Sequence, residues 1–548
     1  MGLKFIYRLL VVLGLVMFCL VIGVGQAPFI TTWKTDNLGS SCSSCITIPT
    51  FSGETYNYEV DWDNDGTYDE FGITGDVTHD FGPIGTYTIA IRGDFPRIYF
   101  NFEGDKKKLV KINQWGDIRW TSMEASFSGC TRMSYDANDV PDLSKVNSLK
   151  ACFLGCHSFN GDIGEWNVSN VEFMNAMFQN AIIFNQYIGD WDVSNVKDMS
   201  RMFSYAKSFD KPLNDWDVSK VERMVGMLNR AEVFNQALNN WDVGNVTSMN
   251  SMFDRAFLFN QNIGNWNVSN VNTMEKMFSE ATSFNQDIGS WDVSNILYMS
   301  DMFSESVNFN QDIGGWDVSK LVNARSLFFG ATKFNQDISS WDVSKVNDMG
   351  LMFAEATDFN QDIGGWDVSR VRRNYSMFRR SKSFDKSLES WNLQSMVTID
   401  NMLDSCGMSC DNYSTTLIGW ATNPNTASDL KLGSANLNYG ESATELRNSL
   451  INDLGWTITG DSFQACTVTT TDINGNQIST YPNPTTQYLT IESEKNYKYT
   501  IHDPQGRLLV SGNTVDHIDM GSLFDGMYFL RLMDDEGNII LDEKILKN

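Results

Sequence analysis

Four aspartates are spaced through the short stretch DWDNDGTYD, which covers residues 61–69. Alternate carboxylates ahead of a glycine turn can converge their oxygens on one hard cation, and calcium prefers oxygen ligands of this kind. The stretch departs from the EF-hand loop, because Gly72 stands at the twelfth position, where that loop has a bidentate glutamate. Two interpretations stay open: a calcium site that is completed differently, and an acidic strand and turn without metal. The candidate ligands are Asp61, Asp63, Asp65 and Asp69.

A second set of carboxylates recurs at a 25-residue period, each one directly after a tryptophan. If these residues lie in strands, their side chains point away from the core and form a file with neighbours about 4.8 Å apart. Charges at that separation repel by about 1 kcal/mol in water, so hydration, hydrogen bonds or bound cations must offset the repulsion. Hydrogen bonds to the following turn and a cation-bridged or ligand-binding acidic ladder both fit the pattern. The seven carboxylates are Asp192, Asp217, Asp242, Asp292, Asp317, Asp342 and Asp367.

The cysteines offer a third kind of chemistry. Cys42 and Cys45 have the spacing of a zinc-ligand pair, but no second pair follows, so we expect a disulfide or free thiols. Cys130, Cys156 and Cys406 stand where other repeats carry alanine, which predicts small buried residues. A bridge between Cys130 and Cys156 in neighbouring repeats stays open, because the pairing of the cysteines does not follow from their spacing.

The sequence has no motif typical of a catalytic site. The patterns HExxH and GxSxG and the P-loop are absent. Carboxylates are plentiful, so an acid pair of the glycosidase type stays formally open. We predict that the protein is not an enzyme and that calcium is its one candidate cofactor.

Aromatic residues indicate which elements must position these groups. Tryptophan recurs ten times in strict register from Trp166 to Trp391, and a phenylalanine lies seven residues before each of them. Such a period indicates a solenoid in which each repeat buries its apolar face against its neighbours. We therefore expect the tryptophan, phenylalanine and methionine side chains to form stacked ladders in the core.

Within one repeat the apolar positions follow two patterns. The run IxxWxVxxV that begins at Ile363 matches the leucine-rich pattern, which predicts a short strand at WDV. A serine after this strand suits a helix N-cap, and Ser169 with Glu172 has the spacing of a capping box. We predict an α/β repeat solenoid that is leucine-rich-repeat-like. The helical stripe of the repeat is Val346, Met349, Met352, Phe353 and Ala356.

The phrase WDVSNVxxMxxMFxxAxxFNQDI resembles the repeat of the BspA-like leucine-rich repeat surface proteins, the DUF285 repeat. The resemblance covers residues 111–402, where INQWGDI at residues 112–118 is similar to the N-terminal cap of that family. Residues 403–470 are similar to its C-terminal cap. Members of the family are associated with adhesion to host proteins, other bacteria or surfaces and share no known catalytic residues, so the resemblance implies a binding role.

Residues 28–110 have a different residue pattern from the repeats. Their apolar residues alternate as in strands and are separated by turns rich in glycine and aspartate. This pattern predicts a small N-terminal β-sandwich, and the order of its motifs resembles a PKD-type immunoglobulin-like domain.

Residues 476–548 are predicted to form a compact all-β domain. The order YPNP, DPQGR and LFDGMYFL resembles the type A C-terminal sorting domain of the type IX secretion system. The resemblance implies a Bacteroidota-type cell, export through the type IX secretion machinery, and attachment or release at the surface. The sorting motif is Tyr481, Pro482, Asn483 and Pro484.

The N-terminus and the charge indicate the compartment. Residues 1–27 carry Lys4 and Arg8, then an apolar run and small residues, which is typical of a secretory signal peptide; an uncleaved membrane anchor is the alternative. The formal net charge of −27, from 41 Lys and Arg against 68 Asp and Glu, excludes nucleic acid and anionic membranes as partners.

Together these patterns predict a secreted, non-catalytic binding or adhesion protein on the exterior of the outer membrane. Its expected partners are extracellular proteins, glycans or other cells. A structural surface-layer protein that self-associates is the alternative, and an exported enzyme acting on polysaccharides is a third.

Overall fold

The computed structural model describes residues 26–466, 468–471, 477–481, 483, 485–493, 497–513, 517–533 and 539–547. Of the predicted signal peptide, residues 1–27, only the last two are among them. The chain divides into two compact units. The first runs to Val246 and includes Arg255–Gln261, and the second comprises Thr247–Asp254 and the chain from Asn262 onward.

The N-terminal region folds into two sheets of strands that alternate apolar and polar residues. The strands are β1 Phe29–Lys34, β2 Cys45–Ile48, β3 Asn57–Asp61, β4 Glu70–Ile73, β5 Val77–Asp80, β6 Thr86–Asp94, β7 Leu109–Gln114 and β8 Ser134–Tyr135. One sheet has the order β4-β3-β6-β1-β7-β8, and β2 pairs with β5 in the other. Trp33, Tyr58 and Ile89 are fully buried, as expected where one face of a strand packs on a core. The PKD-type assignment of this region stays a prediction.

Strand β7 crosses the predicted boundary at residue 110. It pairs antiparallel with β1 and parallel with β8, which lies at the start of the repeat region. Trp115, directly after β7, is fully buried. The N-terminal sheet therefore continues into the repeats without a linker.

The predicted helix of each repeat is wrong. Between β8 and Cys410 the described residues form turns and single parallel bridges between repeats, with neither a helix nor a longer strand. Asp301 and Glu305 have positive φ angles of 56° and 57°, and this left-handed conformation interrupts a helix at two points. Alternate N–H groups donate to carbonyl groups of the next repeat, so one side of each repeat carries a parallel hydrogen-bond ladder. The donors in one repeat are Met299, Asp301, Phe303 and Glu305.

The intervening N–H groups of the same stretch close tight turns within the repeat. Met302 donates to the carbonyl of Met299, and Ser306 donates to that of Phe303, both at 3.1 Å. A chain of three-residue turns places apolar side chains at almost the same intervals as an α-helix. The apolar spacing in the sequence therefore fits both structures.

The predicted strand at WDV is wrong as well. The N–H of Trp316 donates to Ile313 at 3.1 Å and that of Leu321 donates to Val318 at 2.8 Å, which closes one turn on each side. The N–H of Trp316 is thus engaged inside the repeat, whereas a β-ladder would need it to pair with a neighbour, and no bridge forms at residues 316–318. The repeats are built of turns and β-bridges, and the structure does not support the α/β, leucine-rich-repeat-like assignment.

The aromatic core ladders are confirmed. The ring centroids of Phe303 and Phe328 lie 5.7 Å apart with parallel planes, and those of Trp341 and Trp366 lie 6.5 Å apart. All four rings are buried. The indole N–H of Trp341 donates to the carbonyl of Ile313 in the preceding repeat at 3.1 Å. Tryptophan therefore supplies both a large apolar ring and the donor that a buried carbonyl group requires.

The region predicted as the C-terminal cap contains the two described helices. Helix α1 begins after Ser409, whose side chain accepts the N–H of Asn412 as an N-cap. Strands β9 and β11 pair in parallel, as do β10 and β12, and a disulfide joins Cys410 to Cys466. The elements are α1 Cys410–Thr422, β9 Lys431–Gly433, β10 Asn438–Tyr439, α2 Glu441–Asn452, β11 Thr457–Thr459 and β12 Ser462–Phe463.

The described residues of the C-terminal region form only β-strands and loops, as predicted, and the first strand begins earlier than residue 476. The strands are β13 Val468–Thr471, β14 Gln477–Tyr481, β15 Tyr488–Ser493, β16 Lys498–His502, β17 Leu508–Asn513, β18 His517–Asp519, β19 Gly526–Met533 and β20 Ile539–Lys547. They form two antiparallel sheets, β13-β14-β15-β18 and β17-β16-β19-β20. Leu489, Ile501, Leu530 and Ile545 are fully buried in its core.

Candidate functional site

The seven aspartates of the repeated column are exposed and face away from the core, in turns rather than in strands. Oδ1 of each aspartate accepts the N–H two residues on, as in the bond of 3.0 Å from Ser344 to Asp342. Asn267 occupies the same position in its repeat and accepts the N–H of Ser269 at 3.2 Å. The other donors, at 3.0 or 3.1 Å, are Ser194, Ser219, Gly244, Ser294, Ser319 and Ser369.

Local donors lower the pKa of carboxyl groups in this column. For Asp317 and Asp342, the hydroxyl group and then the backbone N–H of the serine two residues on lower the carboxyl pKa. Lys345 adds a smaller attraction, and the repulsion between Asp317 and Asp342 contributes least. Donors within the turn therefore outweigh the repulsion between successive carboxylates. Ligand binding along the column stays a prediction.

A second column of carboxylates lies five residues before the first one and was not predicted. Its members are exposed, and each accepts the N–H two residues on at 2.9 or 3.0 Å. The signal for it was present, because the DIG of FNQDIGG repeats the spacing of DVS in WDVS. A Cβ atom at Gly314 would lie 2.4 Å from the carbonyl oxygen of Asp337, so a side chain here needs a small shift of the next repeat, and Ser339 occupies the equivalent position. The second column is Asp287, Asp312, Asp337 and Asp362.

The asparagine of the repeated phrase FNQ bonds to the next repeat. Oδ1 of Asn310 accepts the N–H of Asn335 at 2.9 Å and Nε2 of Gln336 at 3.0 Å. Asn335 makes the corresponding bonds to Asn360 and Gln361 at 2.9 and 2.8 Å. The polar residues of this phrase therefore hold neighbouring repeats in register, a role that was not predicted from the sequence.

The structure brings together three of the four predicted calcium ligands. Carboxylate oxygens of Asp61, Asp63 and Asp65 lie within 4.8 Å of one another. Asp61 is buried, and its carboxylate accepts the N–H of Gly66 at 2.8 Å and that of Asp65 at 3.3 Å. Desolvation and then the Asp65 carboxylate raise the pKa of Asp63. This crowding of negative charge is what a bound cation would relieve.

Asp69 lies outside this group of three. Its Oδ2 accepts the N–H of Trp62 at 2.8 Å, and Gly72, at the twelfth position, lies exposed in β4. Calcium takes six to eight oxygen ligands, so three carboxylates would need backbone carbonyls and water to complete a site. A calcium site at Asp61, Asp63 and Asp65 stays a prediction.

The cysteines divide into bonded and free groups. Disulfides join Cys42 to Cys45 and Cys410 to Cys466. Cys130, Cys156 and Cys406 are free and buried, as predicted, and no bridge forms between Cys130 and Cys156. Desolvation raises the pKa of Cys406 to about 11, and it raises the pKa values of Cys130, Cys152 and Cys156 as well. The buried thiols are therefore protonated and poorly reactive.

The predicted sorting motif lies partly outside the described residues. Tyr481 ends β14, Asn483 is described, and Pro482 and Pro484 are not. Nδ2 of Asn483 donates to the carbonyl of Lys544 at 2.9 Å, and its Oδ1 accepts the N–H of Leu546 at 2.9 Å. Asn483, the third residue of the motif, is therefore hydrogen-bonded to β20.

These features define the class of the molecule, a turn-rich repeat protein with an all-β C-terminal domain. The family described as "Mycoplasma protein of unknown function, DUF285" matches residues 121–241, 232–330 and 305–416. These matches cover more than half of the chain, and the protein belongs to this family of BspA-like repeats.

The family described as "Secretion system C-terminal sorting domain" matches residues 479–548. The protein is therefore secreted, displayed at the cell surface, and recognised by the type IX secretion machinery through this domain. No curated protein matches the chain. Among the described residues, no helix is both long and apolar enough to cross a membrane.

Proposed function

We propose that this secreted surface protein is a non-catalytic binding or adhesion protein, whose repeats make many similar contacts with extracellular proteins, glycans or other cells. One observation carries the proposal. Recurring side chains such as Trp341 and Asn310 bond inside the solenoid. Carboxylates such as Asp342 stand exposed at the same place in successive repeats. Contacts that are individually weak gain strength when many of them form together.

The test is binding of the full chain to a panel of glycans, matrix proteins and whole cells, with calcium and with a chelator. The key variant changes the seven aspartates of the repeated column to asparagine. Asn267 already makes the same turn bond, so the variant removes charge and keeps the fold. The matched control changes Asp287, Asp312, Asp337 and Asp362 to asparagine, because Asn262 makes the corresponding bond at 2.9 Å.

We expect saturable binding of the unmodified chain and its loss in the seven-residue variant only. If the chelator abolishes binding, the binding mechanism also requires a cation. If no member of the panel is bound, the adhesion function is wrong. A protein that binds nothing except itself would then be the structural surface-layer protein that is the alternative.

A further inference from the structure

The ladder side of the repeats carries charge in alternating stripes. We define the ladder face as the outward side chains of five successive rows, residues 297–308, 322–333, 347–358, 372–383 and 397–408, all in the second unit. Backbone hydrogen bonds join each row to the next, for example from Asp301 to Arg325 at 2.9 Å.

Each row of the ladder face carries charge of a single sign, and the sign reverses from one row to the next. All charged residues of the first, third and fifth rows are acidic, and all those of the second and fourth rows are basic. In row order the charged residues are Asp301 and Glu305; Arg325 and Lys333; Asp348, Glu355 and Asp358; Arg372, Arg373, Arg379, Arg380 and Lys382; Asp400 and Asp404.

Part of this charge is paired within the chain. Arg373 lies 3.5 Å from Asp348 across adjacent rows, and Arg379 and Arg380 lie 3.1 and 3.3 Å from Glu355. The side chains of Arg373 and Arg380 nevertheless stay 63% and 62% exposed. Arg373 and Arg380 thus remain available to a second molecule, whereas the side chain of Asp348 is only 10% exposed.

Some of the remaining charged residues make no ion pair within the part of the chain that the structure describes. Arg372, Asp358 and Asp400 are exposed and make no ion pair with any described residue. Since exposed ion pairs contribute little singly, a contact through this face must use several rows at once.

A second copy of the chain fits this pattern. We propose that the ladder face pairs antiparallel with the ladder face of another copy, about a two-fold axis between rows 322–333 and 347–358. This axis sets the basic second row against the acidic third row, and the acidic first row against the basic fourth row. The fifth row then faces residues 272–283, which contain Glu275, Lys276 and Glu280, so the complementary contact is confined to the first four rows. A two-fold contact requires such a self-complementary surface, whereas parallel in-register apposition would oppose like charges.

The test is the molar mass of the full chain in solution, measured by analytical ultracentrifugation at low and high salt. We expect a dimer at 50 mM salt and at least about tenfold weaker association at 500 mM, because salt screens exposed charges. Self-association through this face is separate from binding through the aspartate column. Each can therefore fail without the other.

Two charge-reversal variants identify the face. The first is Arg372→Glu, Arg380→Glu and Lys382→Glu, which leaves the ion pairs of Arg373 and Arg379 in place. The second is Asp301→Lys and Glu305→Lys. Lys276 and Arg380 occupy the same two positions of other rows with positive φ angles of 57° and 62°, so the backbone accepts these side chains. Each variant alone opposes like charges and should be monomeric, and an equimolar mixture should form a heterodimer.

The control is Glu445→Lys with Asp453→Lys, two exposed acids of the cap whose replacement changes the net charge as much as the second variant does. It should dimerise like the unmodified chain, and thermal melts of all variants report whether they fold. The proposal is overturned by a monomeric unmodified chain at 50 mM salt, by dimers of either single variant, or by a mixture that stays monomeric. Open-ended assembly would also overturn it, because a two-fold contact closes at two copies.

Discussion

At each exposed aspartate of the repeated column, one carboxylate oxygen accepts a hydrogen bond within a turn, and the charge remains at the surface. The turn bond explains why asparagine can replace aspartate at three of the ten positions, as at Asn267. It also explains the lowered pKa of Asp317 and Asp342, since the donors stabilise the charged form. The charge itself is not required by the turn, which is why it is available for binding.

Stability should depend on pH through these carboxyl groups. Because the folded pKa of Asp317 and Asp342 lies below the unfolded value of about 3.9, their contribution is present above that value. It is lost as the pH falls through the lower folded pKa. We expect Asp317→Asn with Asp342→Asn to weaken the dependence of the urea midpoint on pH between pH 6 and pH 2.5.

The companion variant is Asp317→Ala with Asp342→Ala. It removes the acceptor of two turn N–H groups and should cost about 1 kcal/mol per site at pH 7, as the loss of a helix N-cap does. The asparagine variant should be nearly neutral at that pH. Equal loss in both variants would show that the charge, and not the turn bond, stabilises the repeat.

The buried carboxylate of Asp61 allows a direct test of the calcium hypothesis. Asp61→Asn keeps one acceptor but removes charge and places an amide group near the N–H of Gly66. We expect a loss of about 2 kcal/mol in the absence of metal, because hydrogen bonds to a charged group are among the stronger ones. Melting of the full chain is to be followed with calcium and with chelator.

If calcium binds Asp61, Asp63 and Asp65, it should raise the melting temperature of the unmodified chain and leave the Asp61→Asn variant unchanged. Asp76→Asn serves as the control, because Asp76 lies in the same region and bonds to Thr50 instead. If the melting temperature is the same with calcium and with chelator, the calcium hypothesis is wrong and the loop is an acidic turn without metal.

At the scale of the element, one repeat departs from the others in its core. Asn374 is fully buried, and neither its Oδ1 nor its Nδ2 has a hydrogen-bond partner. The three repeats before it have Met349, Ala324 and Met299 at the corresponding position, and the repeat after it has Ile399. Burying an amide group without partners costs free energy, and nothing in the structure explains its presence.

Asn374→Met should therefore stabilise the protein, by about 1–3 kcal/mol, because it removes the unpaired amide group and restores the side chain of the preceding repeat. The measurement is the free energy of unfolding from urea titrations. Met349→Asn is the reverse change and should destabilise by a similar amount. A destabilised Asn374→Met variant would indicate that the amide has a partner, such as a buried water.

The elements of the repeat show what the sequence could and could not predict. The repeat period and the core residues could be predicted from the tryptophans between Trp166 and Trp391, because each ring has one place in the stack. The prediction of a helix failed, because turns like that from Met299 to Met302 give the same apolar spacing as a helix. The two structures differ only in which carbonyl groups accept alternate N–H groups. Those acceptors lie 24 residues away, and no local pattern reports them. The calcium loop was predicted as a local cluster, but the position of Asp69 depends on its bond to Trp62.

At the scale of the whole molecule, the disulfide Cys410–Cys466 should stabilise the C-terminal cap. It closes a sequence separation of 56 residues, and loop-closure entropy gives about 4 kcal/mol for such a loop. Cys410→Ser with Cys466→Ser should lower the melting temperature and expose the cap to proteolysis. The control is Cys42→Ser with Cys45→Ser, whose separation of 3 residues predicts a smaller effect. Equal effects of the two pairs would contradict the loop-length argument.

The hydrogen bonds between repeats depend on the position of a residue within its repeat and not on which repeat it belongs to. Asn310 accepts an N–H group from the residue 25 positions on, and Asn335 does the same for the repeat after that. A gene duplication or deletion of one whole repeat would therefore leave every donor in this file with an acceptor. The length of the displayed array can thus change in evolution by single 25-residue steps, while insertions of any other size would break the register.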